Sequence, residues 1–237
     1  MALAALRIKI FADGADKASM LELHAKPFIR GFTTNPTLMR RAGVANYRDF
    51  ARDVLSHIKD RPISFEVLSD EPAEMERQAL AIADWADNVY VKIPVSTSDG
   101  EPCCALVRRL SDRGVKVNVT AITTLAQVRA IVPVLNPGVA SYVSVLAGRI
   151  ADTGVDPVPL MTEAVRALRA NPSAELIWAS PREVLNILQA QEIGCHIITV
   201  TQDILGKLAL LGRSLEECSL DTVRMFQRDS RAAGFYL

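Results

Sequence analysis

Apolar positions along the chain follow two rhythms that take turns. Short runs rich in β-branched and apolar residues predict strands at Leu6 to Ala12, Gly31-Phe32, Ile63 to Leu68 and Val89 to Val95. Further runs of this kind lie at Val115 to Val119, Ala140 to Val145, Glu175 to Ala179 and His196 to Val200. Between them the apolar residues recur every three to four positions, as on one face of a helix. Tyr47 to Lys59 is the clearest case, with Phe50, Ala51, Val54, Leu55 and Ile58 in register. The same reading predicts helices near Ala15 to Ala25, Pro72 to Ala83, Pro102 to Arg113 and Thr124 to Val132. It continues with Val158 to Ala170, Arg182 to Gln191 and Asp203 to Leu211. Local punctuation agrees with these bounds. Asn35 precedes a proline that pushes it out of helical dihedrals, and Pro36 suits a first helical turn. Gly114 is placed to end the helix before it.

Eight strands, each followed by a helix, favour a parallel sheet, and no linker or composition shift divides the series. At 237 residues the expectation is an α/β protein, a closed (β/α)8 TIM barrel rather than an open doubly wound sheet. The missing glycine-rich phosphate turn after the first strand points the same way. One domain is expected over residues 1–237, with residues 215–237 forming an additional C-terminal helix. Within that extension Ser219 to Ala232 reads as helical, and Val223, Met225 and Phe226 are available to cover the barrel or a neighbouring subunit.

Composition narrows the classes further. Hydrophobic residues make up 49% of the chain, enough for a large core. Charges balance at 27 against 27 without a like-charge run, so no nucleic acid or acidic membrane is expected as a partner. The apolar N-terminal stretch meets Arg7 and Lys9 too soon for a signal peptide, and nothing approaches a membrane span. Cys103, Cys104, Cys195 and Cys218 form neither a zinc spacing nor a disulfide framework. They read as buried thiols of a reducing cytoplasm. His24, His57 and His196 share no ligand spacing, so no metal is expected.

The candidate chemistry centres on VYVKIPV, Val89 to Val95. With a period of two, Tyr90, Lys92 and Pro94 face one way and Val89, Val91 and Ile93 the other. A lysine there either reaches water from an edge strand or sits desolvated, where a neutral amine is a nucleophile toward carbonyls. Function in such a barrel sits at the C-terminal ends of the strands. The polar residues expected there are Asp13, Thr33, Thr34, Asn35, Glu66, Lys92, Asn118, Thr120, Ser144, Arg149, Ser180 and Arg182. Taken singly they have plain alternatives: Asn35 as a helix cap, Ser144 as a small filler, Arg149 in a surface ion pair. Taken together they ring one lysine with polar groups, as a carbonyl-processing site requires.

Five segments carry a resemblance: GFTTNPTL at Gly31 to Leu38, VKIPV at Val91 to Val95, NVT at Asn118 to Thr120, YVSVLAGRI at Tyr142 to Ile150, and ASPREVLNIL at Ala179 to Leu188. In that order they resemble the transaldolase family, including its short members related to fructose-6-phosphate aldolase. The resemblance implies a Schiff-base mechanism, no cofactor, and small sugar phosphates as substrates. It implies that Lys92 attacks a ketose carbonyl and that Asp13 moves the proton of the hydroxyl where the C–C bond breaks. Glu66 and Thr120 would hold the water of imine formation and hydrolysis. Asn35, Asn118 and Ser144, with Thr33 nearby, would hold a dihydroxyacetone unit, and Arg149, Ser180 and Arg182 its phosphate. A homo-oligomer joined through the C-terminal helix and a cytoplasmic location complete the expectation.

The residue types suit that chemistry on their own terms. Cleavage β to a ketone needs an electron sink, which a protonated imine supplies, and a base, which a carboxylate supplies. Phosphate suits the planar, bidentate donors of arginine. The chain departs from the family pattern in three places. Val145 and Leu146 follow Ser144 where many relatives carry proline and an aromatic residue, a tyrosine in the aldolase-like members. Arg30 precedes Gly31 where an acidic residue is common, and Gly14 follows Asp13 where a threonine often does. The expected activity is transfer of a dihydroxyacetone unit between sugar phosphates. The alternatives are a lyase releasing dihydroxyacetone, a relative acting on an unusual sugar, and a silent sugar-phosphate-binding barrel.

Overall fold

The strand runs close into a ring. A computed structural model describes residues 6–235; residues 1–5, where the apolar N-terminal stretch begins, and the last two of the expected extension lie outside them. The strands are β1 (Lys9–Asp13), β2 (Ile29–Thr33), β3 (Ile63–Glu66), β4 (Val89–Pro94), β5 (Val117–Ile122), β6 (Ser141–Val145), β7 (Ala174–Trp178) and β8 (Ile197–Thr201). Each pairs in parallel with the next, and β8 returns to β1 to close the barrel. The helices around it are α1 (Lys17–His24), α2 (Pro36–Arg41), α3 (Tyr47–His57), α4 (Pro72–Ala83), α5 (Cys104–Asp112) and α6 (Leu125–Ile131). The series ends with α7 (Ala147–Asp152), α8 (Pro157–Leu168), α9 (Leu185–Glu192), α10 (Gln202–Gly206) and α11 (Leu215–Ala233).

Strand parity decides what fills each side of the wall. Outward residues such as Phe32, Phe65, Val91, Ile93, Val143 and Trp178 are buried under the helices and form the larger core. Burial of each such side chain contributes on the order of 1.5–3 kcal/mol. The inward residues form a separate apolar cluster of Phe11, Tyr90, Tyr142, Ile177, Ala179 and Ile197. Tyr90 stacks on Tyr142 at 4.0 Å between ring centres, and Phe11 meets Tyr142 edge-on at 5.7 Å. One step further along β1, β4, β6 and β8 the inward positions turn polar, at Asp13, Lys92, Ser144 and Thr199. The barrel is therefore plugged with hydrocarbon below and lined with hydrogen-bonding groups above.

Pairing around the ring is uneven. β2 and β3 register only at Phe32–Ile63 and Thr33–Ser64, and β7 and β8 only at Ile177–Ile197 and Trp178–Ile198. Between these thin seams, β8 and β1 pair from Lys9–Ile197 to Asp13–Thr201, and β1 and β2 from Ile10–Ile29 to Asp13–Thr33.

Several bounds differ from expectation. β1 starts at Lys9 rather than Leu6, and β5 runs on to Ile122 across a register shift where Ala121 takes φ 61°. Helix α7 was not foreseen. The last helix starts earlier, at Leu215, because the Ser214 side chain accepts a hydrogen bond from the Glu217 N–H and caps it. No residue of α11 is buried; Val223 and Phe226 are 60% and 63% exposed. Among the thiols, Cys103 and Cys195 are buried as expected, whereas Cys104 and Cys218 are only half-buried.

Candidate active site

Lys92 enters the barrel from the middle of β4 and is only 7% exposed, so it is not an edge-strand lysine reaching water. The register of β3 on β4 sets Glu66 beside it, and that of β5 on β4 sets Asn118 on its other side. Lys92 Nζ lies 3.1 Å from Glu66 Oε2 and donates to the Thr34 carbonyl at 2.8 Å. A desolvated ion pair is maintained only where its hydrogen-bonding capacity is met, and the Thr34 carbonyl helps to meet it. Tyr47, on α3, donates its hydroxyl to the Glu66 carbonyl at 2.8 Å and steadies the end of β3.

Asp13 ends β1 and faces the same interior. Thr33 donates to Asp13 Oδ1 at 2.7 Å and shares a hydrogen bond with Thr199 on β8. Burial pushes the Asp13 carboxyl above the usual carboxylate range; the Lys92 ammonium and the Thr33 hydroxyl oppose this, and Glu66 adds to it. Thr33 thus holds the carboxylate, and both its partners are protein groups.

A buried polar chain crosses the strands beside Lys92. Ser144 donates to Asn118 Oδ1 at 2.7 Å, and Asn118 Nδ2 donates to Ser64 Oγ at 3.0 Å. Ser144 is therefore more than a filler. Thr120 is buried at the bulge of β5, where its carbonyl accepts from the Val95 N–H at 2.9 Å. Asn35 does serve as a cap: extended at φ −156°, it accepts from the Leu38 N–H at 2.9 Å and starts α2 ahead of Pro36. With one lone pair of Oδ1 so committed, its amide nitrogen is free to donate to a substrate.

Arg149, Ser180 and Arg182 gather elsewhere on the rim, beyond β6 and β7. Ser180 takes φ 56°, a conformation side chains rarely adopt, and its carbonyl presses on the backbone of α7. A Cβ on Gly148 would stand 1.5 Å from that oxygen and 3.3 Å from Arg182 Cζ, so only glycine fits. Arg182 donates from Nε to Asp152 Oδ1 at 2.8 Å, from Nη2 to Asp152 Oδ2, and from Nη1 to the Ser180 carbonyl at 3.0 Å. The Asp152 carboxyl is held below its usual range, first by Arg182 and in smaller part by Arg149. Arg182 is thus already paired with a carboxylate of the chain, while the side chain of Arg149, one turn before that carboxylate on α7, has neither hydrogen bond nor ion pair among the described residues.

Tyr47, Ser64, Asp152 and Thr199 were not anticipated from the sequence, and Thr34, expected at a strand end, contributes its backbone carbonyl to Lys92 rather than its side chain. Asp152 lies three residues beyond Arg149, a helical spacing, on the helix that went unread. The others act through register and backbone contacts that no local pattern announces.

The description "Transaldolase/Fructose-6-phosphate aldolase" belongs to a family model that matches residues 10–235. A "Probable transaldolase" of Thermoanaerobacter sp. (strain X514) is 34% identical over 96% of this chain and 99% of its own length. Another from Dehalococcoides mccartyi is 32% identical over 85% of this chain and 90% of its own. Among solved structures, 2,3-dimethylmalate lyase superposes with a TM-score of 0.55 at 12% identity, covering 96% of this chain and 84% of the other. At that identity the likeness concerns the barrel alone.

Proposed function

From the premise that this chain belongs to the transaldolase/fructose-6-phosphate aldolase family, and is an enzyme of that class, we propose that it transfers a dihydroxyacetone unit between sugar phosphates through a Schiff base on Lys92. The observation that carries this reading is the buried Lys92 ammonium held between the Glu66 carboxylate and the Thr34 carbonyl, with Asp13 lining the same interior. Glu66 is placed to take a proton from Lys92, freeing the amine to attack the ketose carbonyl. Loss of water, held with Thr120, leaves a protonated imine. Asp13 then accepts the proton of the substrate hydroxyl, the C–C bond breaks toward the imine, and the first aldehyde leaves. The enamine on Lys92 attacks a second aldehyde, Asp13 returns the proton, and hydrolysis releases the new ketose. Asn118 and Ser144 hold the dihydroxyacetone hydroxyls with the Asn35 amide nitrogen, while Thr33 positions Asp13.

Transfer rather than simple cleavage is supported by Leu146, an apolar side chain packed against the interior cluster where aldolase-like members carry a phenol. Without that proton donor the enamine survives to meet an acceptor. Transfer to an added aldose phosphate is expected to exceed release of free dihydroxyacetone by roughly tenfold, a barrier difference of about 1.4 kcal/mol. Assay of dihydroxyacetone with and without acceptor checks this. Equal release in both, with no new ketose, assigns the chain to the lyases.

The phosphate falls to Arg149 and Arg182, with Asp152 holding the latter in plane. Gly148→Ala drives a methyl group into the Ser180 carbonyl and so displaces Arg182. The expected result is a KM for phosphorylated donor raised about tenfold or more with kcat changed far less, because phosphate binding is largely uniform between ground and transition states. Steady-state kinetics on phosphorylated and unphosphorylated ketoses separates this from a general loss of folding, which lowers both alike.

The exposed apolar side chains of α11 support docking of that helix on a second copy of the chain. Free thiols support a cytoplasmic location; no helix in the described residues is long and apolar enough to cross a membrane.

A further inference from the structure

At the N-terminal end of the barrel, opposite the Lys92 site, a cavity of about 360 Å³ opens beneath Phe11, Ile29 and Tyr142. Its polar walls are Lys9, Arg30, Asp60 and Arg61. Lys9 is neutralised by Glu175 at 2.7 Å, and Asp60 is engaged by His24 Nε2 at 2.7 Å and by Arg61 Nε at 3.7 Å. Arg61 also donates from Nη1 to the Lys26 carbonyl at 3.2 Å. The Arg30 side chain, exposed on β2, has neither hydrogen bond nor ion pair among the described residues. The lining thus has cationic donors in excess, one of them uncommitted, above an aromatic and aliphatic floor.

We propose that this cavity is a second, effector site that binds the phosphate group of a small phosphorylated metabolite or phosphate itself. A guanidinium free of protein partners offers the planar N–H pair that phosphate oxygens match. Phe11, Ile29 and Tyr142 lie almost fully buried at the cavity floor, so the polar rim makes the contacts. The site lies one side-chain layer from the chemistry. Phe11 and Asp13 are inward neighbours on β1, as Gly31 and Thr33 are on β2. The Phe11 ring lies so close over Gly31 that a Cβ there would be 2.6 Å from it. A ligand held by Arg30, which adjoins Gly31 on β2, therefore bears on the strand pair that carries Asp13 and its Thr33 partner.

Calorimetric titration of the full chain with inorganic phosphate and with glycerol 3-phosphate tests this. The unaltered protein is expected to show two sites, and Arg30→Glu one, with affinity at the lost site reduced roughly tenfold or more and basal kcat and KM retained. Arg149→Ala/Arg182→Ala is expected to keep the site that depends on Arg30. Arg30→Gln, which removes the charge at similar size, serves if the glutamate variant does not fold. Tighter binding of glycerol 3-phosphate assigns the site to an ester, and tighter binding of inorganic phosphate to the free ion. A single site abolished by Arg30→Glu supports this inference while removing Arg149 and Arg182 from phosphate binding. Unchanged stoichiometry and affinity in both Arg30 variants overturns it, as does complete loss of binding in Arg149→Ala/Arg182→Ala.

Discussion

Lys92→Ala is expected to lower turnover on the order of 10⁴-fold or more, because it removes covalent catalysis rather than weakening it. The side chain is buried among groups that have no other cation within the Glu66–Thr34 clasp, so a neighbouring amine has no route to substitute for it. Loss of the ammonium also leaves Glu66 without its ion-pair partner, and removing one member of a buried pair is destabilising. Lys92→Met, which keeps most of the volume, separates the two effects: activity is expected to be lost equally, and folding less affected. Borohydride reduction with a ketose phosphate gives the independent readout. The native protein gains the mass of the bound unit and both variants do not. Turnover within about tenfold of native in either folded variant rules out the imine.

Asp13→Asn is expected to lower turnover roughly 10²–10⁴-fold, the usual size of a lost acid–base group, without a matching loss of stability. The sign follows from burial. The folded-state pKa of Asp13 lies above its unfolded value, so the folded chain binds this proton more tightly. Its contribution to stability is complete below the unfolded pKa and declines as pH rises through the folded one. Asparagine has no such proton. The stability difference between variant and native protein is therefore flat in acid and shifts in the variant's favour as pH rises through the Asp13 range, as denaturant melts at a series of pH values will show. In the native enzyme kcat should fall as pH drops through the same raised pKa, and that limb should be missing from the residual activity of the variant. An acid limb that persists in Asp13→Asn assigns the titration to another group.

Much of this architecture is legible in the chain because barrel strands are buried on both sides and stand out as apolar runs. The parity of VYVKIPV places Lys92 inside for the same reason: Val91 and Ile93 are needed under the helices, which leaves the lysine the interior. Asn35-Pro36 reads as a helix start because both its signals are local. The illegible parts depend on distant segments. Thr33 meets Thr199 from 166 residues away, and Asn118 meets Ser64 from 54, through strand register alone. The extension of β5 past Val119 turns on a bulge at Ala121, a residue with no preference for that conformation. Helix α7 is hidden because it is short and opens with Ala147-Gly148, the glycine being demanded by Ser180 across the rim rather than by the helix. The roles assigned to the ring of polar residues come from resemblance; parity and register account for where they stand.

The thin seams divide the proposed catalytic groups between two arcs of the wall. Asp13, Thr33 and Thr199 ride on β8, β1 and β2, while Glu66, Lys92, Asn118 and Ser144 ride on β3 to β6. The proposed base and nucleophile are thus carried by separate arcs joined along β2/β3 and β7/β8 by the shortest ladders, and the Lys92–Thr34 hydrogen bond spans one of these seams. Thermal breathing of the barrel opens first where the ladder is shortest. Opening at the β2/β3 seam is expected to leave Glu66 beside Lys92, on adjacent paired strands, while separating both from the arc that carries Asp13. On the proposed mechanism, imine formation is then expected to outlast bond cleavage on warming, leaving substrate held covalently after turnover has stopped.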